Sequence, residues 1–157
     1  MEPMTLHIHP KSSEPPGKII ALDVGDARIG VATCDPLRLT VRPLRTLRRR
    51  NRRADFDALA QIFEEEEAVL IVCGLPYNMD GSEGPQARKI RNWAARFTRA
   101  LRNIRGREAP LVFWDERLSS FAADEWIAEG GSPAAGQDAV AAAVILRSYL
   151  DEQRSCR

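Results

Sequence analysis

The sequence predicts an α/β fold in which an antiparallel meander of three strands precedes two strands that alternate with helices. Three observations carry this prediction. The stretch 18–32, KIIALDVGDARIGVA, holds two apolar runs around a Gly-Asp turn, a pattern typical of a hairpin. Two further short apolar runs, 68–73 and 111–114, are rich in β-branched or aromatic residues, as buried strands are. Segments with apolar residues at helical spacing lie between and after them.

The composition limits the class of protein. The chain has 157 residues, a net charge of +1 and 29% charged residues, which suits one globular domain. No apolar run approaches the roughly 18 residues of a membrane helix, and the polar, Pro-rich start lacks the apolar centre of a signal peptide. We therefore expect a cytoplasmic protein with no membrane contact. We expect a disordered arm at 1–17, one domain at 18–151 and a tail at 152–157.

The opening hairpin carries an acid, Asp23, at the end of its first strand. Ile19–Leu22 is apolar throughout, as expected for a strand that is buried on both faces. A carboxylate at the mouth of such a strand costs free energy unless hydrogen bonds or a cation compensate its charge. Asp23 is therefore either a metal ligand or a turn residue that binds its own backbone, and this stretch alone favours neither.

A dense basic segment follows the third strand, which we place at about Leu39 to Leu47. Its members are Arg48, Arg49, Arg50, Asn51, Arg52 and Arg53. Guanidinium groups match the geometry of phosphate oxygens, so this segment can grip a nucleic-acid backbone. The alternative is a solvated loop that keeps an edge strand from pairing further, and no aromatic residues interleave the arginines.

Two amphipathic helices flank the clearest buried strand, 68–73. Apolar spacing predicts the first helix over about 54–67. Pro85 suits the start of the second helix, whose apolar stripe runs from Ile90 to Ile104 and whose remaining surface is strongly basic. The intervening loop, 74–84, follows the carboxyl end of a strand, where ligands usually bind in open α/β sheets.

Two more acidic positions stand at the ends of predicted elements. Glu116, in the segment Asp-Glu-Arg, follows the last short strand, and Asp138 opens the final helix, predicted at about 139–150 after a helix at 121–129. An Asp at a helix start is commonly a cap. If the first, fourth and fifth strands are parallel neighbours, however, Asp23 and Glu116 share one edge of the sheet, and Asp138 can pack beside them.

Such a cluster of carboxylates has a chemical consequence. Neighbouring carboxylates repel one another unless a proton or a cation enters, and Mg²⁺ or Mn²⁺ prefers oxygen ligands. Divalent ions held in this way support phosphodiester cleavage. The only histidines, His7 and His9, lie in the predicted arm, so no Ser-His-Asp or Cys-His arrangement competes with this machinery.

Four segments resemble, in order, the signature blocks of the YqgF/RuvX family. They are LDVGDARIGVATCDP, VCGLPYNMDGSEGPQARKI, FWDERLSS and DAVAAAVILRSYLD. The family comprises RNase H-like proteins described as pre-16S rRNA nucleases and earlier as Holliday junction resolvases. The resemblance covers nearly all of 18–151. It implies an RNase H-like α/β fold, a five-stranded mixed sheet with three antiparallel strands and then two parallel ones, flanked by helices.

The resemblance also assigns residues. It implies that Asp23, Glu116 and Asp138 are the catalytic acids and bind Mg²⁺ or Mn²⁺. It implies that Arg28, with Arg117 as its counterpart, either contacts phosphate or steadies the acids. It places Asn78, Asp80 and Gly81 at the border of the substrate groove. The family often has a basic loop before the last acid, whereas 130–137 carries no basic residue here. We expect the basic segment to supply that contact through Arg48, Arg49 and Arg50.

The leading functional prediction is a metal-dependent nuclease that hydrolyses phosphodiester bonds in structured RNA. Its expected substrate is the 5′ end of the 16S rRNA precursor, met in association with the ribosome, and its expected state is a monomer or a homodimer. The first alternative is a resolvase of four-way DNA junctions, which must act as a dimer. The second is a non-catalytic nucleic-acid or transcription-associated binding module, against which the intact acids argue.

Overall fold

The computed structural model describes residues 14–106, 108–118 and 135–155. Its elements alternate as the apolar pattern predicts. In chain order they are β1 (Lys18–Val24), β2 (Arg28–Cys34), β3 (Val41–Arg48), α1 (Arg52–Glu65), β4 (Ala68–Leu75), α2 (Pro85–Arg105), β5 (Leu111–Asp115), a 3₁₀ turn (Glu116–Leu118) and α3 (Gln137–Ser155).

The five strands form one mixed sheet in the order β3-β2-β1-β4-β5. β1, β2 and β3 pair antiparallel, and β4 is parallel to both β1 and β5. The predicted RNase H-like arrangement, three antiparallel strands followed by two parallel ones, is confirmed. As a result, the carboxyl ends of β1, β4 and β5 lie at the same edge of the sheet.

Helices cover both faces of the sheet. On one face Ile20, Leu22 and Val24 of β1 join a buried cluster with α1 and α2, and on the other face Ile19 and Ala21 pack with α3. Because side chains alternate along a strand, the next alternate position places Asp23 on the α3 face. None of the described helices is long and apolar enough to span a lipid bilayer.

The basic segment is not a single loop, contrary to one of the two predictions for it. Arg48 ends β3, and the side chain of Asn51 caps α1 by accepting a hydrogen bond from the Ala54 amide at 2.9 Å. Asn is a preferred capping residue, so α1 begins at Arg52 and not at the predicted 54. The segment is therefore divided among a strand, a short connection and a helix.

Two apolar positions differ from their predicted surroundings. Leu39 precedes β3 and is 59% exposed, because the carboxylate of Asp35 binds the amides of Leu39 and Thr40 and holds them in a turn. Ile104, at the end of the predicted apolar stripe, is 42% exposed. It lies in the last turn of α2.

Both ends of the described chain pack against the domain. Arg38 donates to the carbonyl oxygens of Gly17 and Pro15, so the last residues of the predicted arm are in contact with the β2–β3 connection. α3 continues to Ser155, beyond the predicted 150, and Arg154 donates to the Arg38 carbonyl at 2.7 Å. The predicted helix at 121–129, His7 and His9 lie outside the described residues.

Candidate active site

Asp23 owes its position to β1. It is the penultimate residue of the strand and pairs with Gly30 of β2. Its side chain is half-buried at the carboxyl edge, on the face covered by α3. The structure thus places Asp23 at the carboxyl end of a central strand, as predicted.

Glu116 reaches the same place from β5, across the intervening strand β4. It directly follows β5 and begins the 3₁₀ turn. A Cβ atom at Gly74 of β4 would lie 2.7 Å from Oε1 of Glu116 and 2.9 Å from its Cγ. The Glu116 side chain therefore lies against the bare backbone of Gly74, and any larger residue there would displace it.

The carboxyl groups of Asp23 and Glu116 share a hydrogen bond. Burial, the charge of Asp23 and this hydrogen bond raise the pKa of Glu116 from 4.5 to about 7, with a further contribution from Asp115. Burial also raises the pKa of Asp23; the bond from Glu116 opposes this rise, and the charge of Asp138 adds to it. Both pKa values are raised, so the pair as a unit retains a proton up to near neutral pH.

Asp138 is brought to this pair by the close approach of α3 to β2. A Cβ atom at Gly30 would lie 1.8 Å from the Asp138 carbonyl oxygen, so the first turn of α3 rests directly on the β2 backbone. Thr46 of β3 fixes that turn: its hydroxyl donates to the Ala135 carbonyl at 2.8 Å and accepts from the Ala139 amide at 3.2 Å. The helix is thereby capped from a neighbouring strand and not by Asp138.

The side chain of Asp138 binds Arg28 instead. Arg28 Nε donates to Asp138 Oδ2 at 2.8 Å, and the side chains are 60% and 30% exposed, respectively. Arg28 is the first residue of β2, on the strand whose Gly30 supports Asp138. Arg28 was expected either to contact phosphate or to steady the acids. The structure shows a contact of the second kind, with Asp138.

Arg117 lies against the loop that follows β4. Its guanidinium binds Asp115 through Nε and Nη2 and donates from Nη1 to the carbonyl oxygens of Asn78 and Met79. Asn78 in turn pairs with Ser82 through its amide and side chain. These contacts fasten the loop to the end of β5, and the substrate role of Arg117 and Asn78 stays a prediction.

Arg48, Arg49 and Arg50 separate at the end of β3. Arg48 is the cross-strand partner of Arg28, and such partners lie on the same face of a sheet. Arg49 donates from Nη1 to the Gly25 carbonyl at 2.8 Å, whereas Arg50 borders a cleft on the α1–α2 side. Only Arg48 among the three is therefore placed on the face of the acids.

The donor set at this edge suits a hard divalent cation, because it consists of carboxylate oxygens. The proton shared by Asp23 and Glu116 neutralises a charge that a cation would neutralise equally well. In the described ranges, no group of three or more His, Cys, Asp or Glu side chains is arranged to hold an ion. Asp23 and Glu116 thus fit as two ligands, and the prediction that Asp138 is a third stays a prediction.

Sequence reasoning missed three residues that shape this site: Gly30, Gly74 and Thr46. The two glycines interrupt apolar strand runs, and a glycine inside a strand often marks the close approach of another chain segment. That signal was available from the sequence. The role of Thr46 could not be predicted from the sequence, because its hydroxyl binds the start of a helix that lies about 90 positions later in the chain.

The strand order, with helices on both faces, defines an RNase H-like α/β domain of the kind found in resolvases. A family model for RuvX, described as a Holliday junction resolvase, matches residues 17–152. The chain belongs to this family.

Curated relatives share most of the sequence. A protein of Synechococcus elongatus named "Putative pre-16S rRNA nuclease" is 46% identical over 142 residues, which are 88% of this chain and 91% of that protein. Proteins of the same name from Ruegeria pomeroyi and Caldanaerobacter subterraneus are 42% and 36% identical, and cover 90% and 88% of this chain and 91% and 99% of their own.

Solved structures share the fold. RuvC of T. thermophilus, solved with a Holliday junction substrate, superposes with a TM-score of 0.57 at 13% identity and covers 87% of this chain and 96% of its own. The fowlpox virus resolvase, solved with Holliday junction DNA, gives a TM-score of 0.51 at 8% identity and covers 86% and 97%. At such identities the likeness concerns the fold alone.

Proposed function

We propose that this protein is a metal-dependent nuclease that hydrolyses phosphodiester bonds in structured RNA. The observation that carries the proposal is the proton-sharing pair Asp23–Glu116 at the carboxyl edge of the sheet, with the charge of Asp138 close enough to raise the pKa of Asp23. The names of the curated relatives favour the 16S rRNA precursor as substrate. We place the cleavage at its 5′ end, during ribosome biogenesis.

Each acid has its own role in this proposal. Asp23 and Glu116 would hold Mg²⁺ or Mn²⁺, and an ion there supplies Lewis-acid stabilisation of phosphate oxygens. Asp138 is held through Oδ2 by Arg28, which leaves Oδ1 to accept a proton from an attacking water. Arg28 thereby holds the Asp138 side chain in a fixed orientation.

The exposed cations beside the acids would bind the substrate. Arg28 and Arg48 face the same side of the sheet as Asp138. Their guanidinium groups can contact the oxygens of the phosphate under attack and of its neighbour. The protein would act in the cytoplasm on ribosome-associated precursor, as a monomer or a homodimer.

The decisive experiment compares three forms of the protein on a fragment of the 16S precursor with Mn²⁺. Asp23→Asn keeps the shape of the side chain and removes the charge, and we expect cleavage to fall by at least about 100-fold. Asp57→Asn is the matched control, because Asp57 is exposed on α1 and forms no ion pair within the described residues. Equal cleavage by the wild type and Asp23→Asn would refute the assignment.

The second candidate is a resolvase of four-way DNA junctions. The description of the family model favours it, and the same acids would perform the same chemistry. A side-by-side assay with precursor RNA and a DNA junction separates the two. Paired, symmetric cuts in the junction without cleavage of RNA would favour the resolvase, whereas binding without cleavage of either would indicate a non-catalytic module.

A further inference from the structure

A cleft of 650 Å³ opens on the face of the sheet away from the acids. Its walls are the β1–β2 turn, the segment between β3 and α1, the start of α1 and the first half of α2. Val24 lines this cleft, whereas Asp23, its neighbour in β1, lies on the α3 face. The cleft and the acids therefore lie on opposite faces of the sheet, and both lie at the carboxyl end of β1.

The cleft is strongly basic. Its walls carry five cationic side chains, namely Arg49, Arg50, Arg52, Lys89 and Arg96, and two acids, Asp26 and Asp55. Asp55 is buried and already accepts the Arg50 amide at 3.0 Å, with Arg49 Nε at 3.9 Å. Asp26 accepts from Gln86 at 3.4 Å. The acids are thus engaged within the protein, and the walls keep a surplus of positive charge.

Most of these cations have no partner of their own. Within residues 14–106, 108–118 and 135–155, four of them form no ion pair although they are exposed: Arg50, Arg52, Lys89 and Arg96. Like charges gathered around one cleft repel one another, which costs free energy. An anion in the cleft would remove that cost.

Uncharged donors point to the same ligand. α1 begins at the cleft with Arg52. Asn51 already accepts from the Ala54 amide, which leaves the amides of Arg52 and Arg53 as the helix-start donors of the kind that bind anions. Trp93 also lines the cleft, is 5% exposed, and its buried Nε1–H has no acceptor among the described residues. A buried donor without an acceptor is costly. Because this N–H is also shielded from solvent, an oxygen in the cleft would reach it only if the side chains around Trp93 shifted on binding.

We propose that this cleft binds a phosphate group of the nucleic-acid backbone, distinct from the phosphate attacked at Asp23 and Glu116. The strand would pass over the β1–β2 turn, with one phosphate at the acids and another between α1 and α2. Two hydrogen bonds fix the turn: the Gly25 amide donates to the Arg28 carbonyl, and the Gly25 carbonyl accepts from Arg49. The inference rests on the proposed function only in taking nucleic acid as the ligand.

The test measures binding apart from cleavage. A fluorescent single-stranded RNA is titrated with the full chain in EDTA, over a series of KCl concentrations. We compare the wild type with Arg52→Gln/Lys89→Gln, which removes two cations of the cleft. For a single strand, each lost phosphate contact lowers the magnitude of the slope of log K against log [salt] by about 0.7, which weakens binding about fivefold at 0.1 M relative to 1 M salt.

The matched control is Arg53→Gln/Arg99→Gln. Arg53 and Arg99 lie on the same two helices, are exposed, do not line the cleft and form no ion pair within the described residues. The net charge changes equally, so we expect a change of less than about twofold in binding. Equal losses in the two double variants would show a general charge effect and would overturn the cleft proposal.

A second measurement localises the ligand. The indole N–H resonance of Trp93, assigned through Trp93→Phe, is followed in ¹H–¹⁵N spectra during addition of the RNA. A shift in the wild type and its loss in Arg52→Gln/Lys89→Gln support the proposal, and an unmoved resonance with tight binding overturns it. Failure of the wild type to bind any nucleic acid would overturn the nuclease as well, whereas normal cleavage with an indifferent cleft would overturn the cleft alone.

Discussion

Gly30 and Asp138 touch through their backbones: a Cβ atom on Gly30 would lie 1.8 Å from the Asp138 carbonyl oxygen. Gly30→Ala must therefore push the first turn of α3 away from β2 and Asp138 away from Asp23. We expect a loss of at least about 2 kcal/mol in the free energy of unfolding, as for an overpacked core, and a cleavage rate reduced to background. Urea unfolding and the Mn²⁺ assay measure the two effects.

Gly84→Ala serves as the control for that substitution. A Cβ atom at Gly84 would meet only the side-chain atoms of Asn78, at 3.2 Å or more, and these can move. We expect less than about 1 kcal/mol of destabilisation; because the atoms that must move belong to Asn78, a predicted substrate residue, this variant is a control for stability and not for cleavage. Wild-type cleavage by Gly30→Ala would contradict the close contact between β2 and α3.

Thr46 should act through the helix that it caps. Thr46→Val keeps the shape of the side chain but removes the hydroxyl that serves Ala135 and Ala139. We expect a loss of about 0.5–2 kcal/mol in unfolding free energy, together with a lower kcat, because Asp138 lies within the turn that is released. Thr46→Ser should restore both quantities. A variant that is destabilised but fully active would reduce Thr46 to a structural role.

Arg28 should matter for activity more than for stability. Its ion pair with Asp138 is largely exposed, and such pairs contribute about 0–1 kcal/mol. We therefore expect Arg28→Gln to unfold at nearly the wild-type urea concentration while its kcat falls about tenfold or more. Arg42→Gln is a suitable comparison, since Arg42 also forms an exposed ion pair, with Glu66, on β3. Equal kcat values for both variants would argue against Arg28 as a positioning residue.

The stability of the metal-free protein should fall as the pH rises. The pKa of Glu116 is raised from 4.5 to about 7 in the folded chain, so the folded state binds more protons than the unfolded state in this interval. Stability is then fully present below pH 4.5 and is lost up to about pH 7. Urea unfolding in EDTA measures this slope, and Glu116→Gln should flatten it.

A divalent cation should reverse that slope. If Mg²⁺ or Mn²⁺ takes the place of the shared proton, it binds more tightly when Glu116 is ionised, and ligand binding stabilises the folded state. We expect added Mn²⁺ to raise the unfolding midpoint more at about pH 8 than at about pH 5. Equal shifts at both pH values, or the same shift in Asp23→Asn, would place the ion elsewhere.

Much of the fold could be predicted because its strands coincide with short apolar runs in the sequence. Ile19–Leu22 and 68–73 are buried on both faces, and no helical spacing competes with these assignments. The predicted boundaries were wrong where a single polar contact determines the end of an element. Asn51 starts α1 early, and Asp35 holds Leu39 out of β3; both are local hydrogen bonds that periodicity does not register.

The candidate site was predictable as a set of acids but not as a geometry. Motifs indicated Asp23, Glu116 and Asp138, and the structure brings Asp23 and Glu116 into hydrogen-bonding contact. That Asp138 binds Arg28, and that Arg117 holds a loop, depends on partners distant in sequence. The basic segment is divided between two faces of the sheet because β3 ends at Arg48 and α1 begins at Arg52. Apolar spacing did not define either of these boundaries.

The pairing of Arg28 with Asp138 joins positions 110 residues apart, and α3 is the last described element to leave the ribosome. All five strands can therefore be synthesised, and can begin to pair, before the third acid exists. A nascent chain at that stage contains the strands of the sheet, but Asp138 has not yet joined Asp23 and Glu116 at its edge. Opening of α3 alone in the mature protein would likewise separate Asp138 from Asp23 and Glu116 without unfolding the sheet. If the proposed function holds, cleavage would then depend on the docking of a single helix.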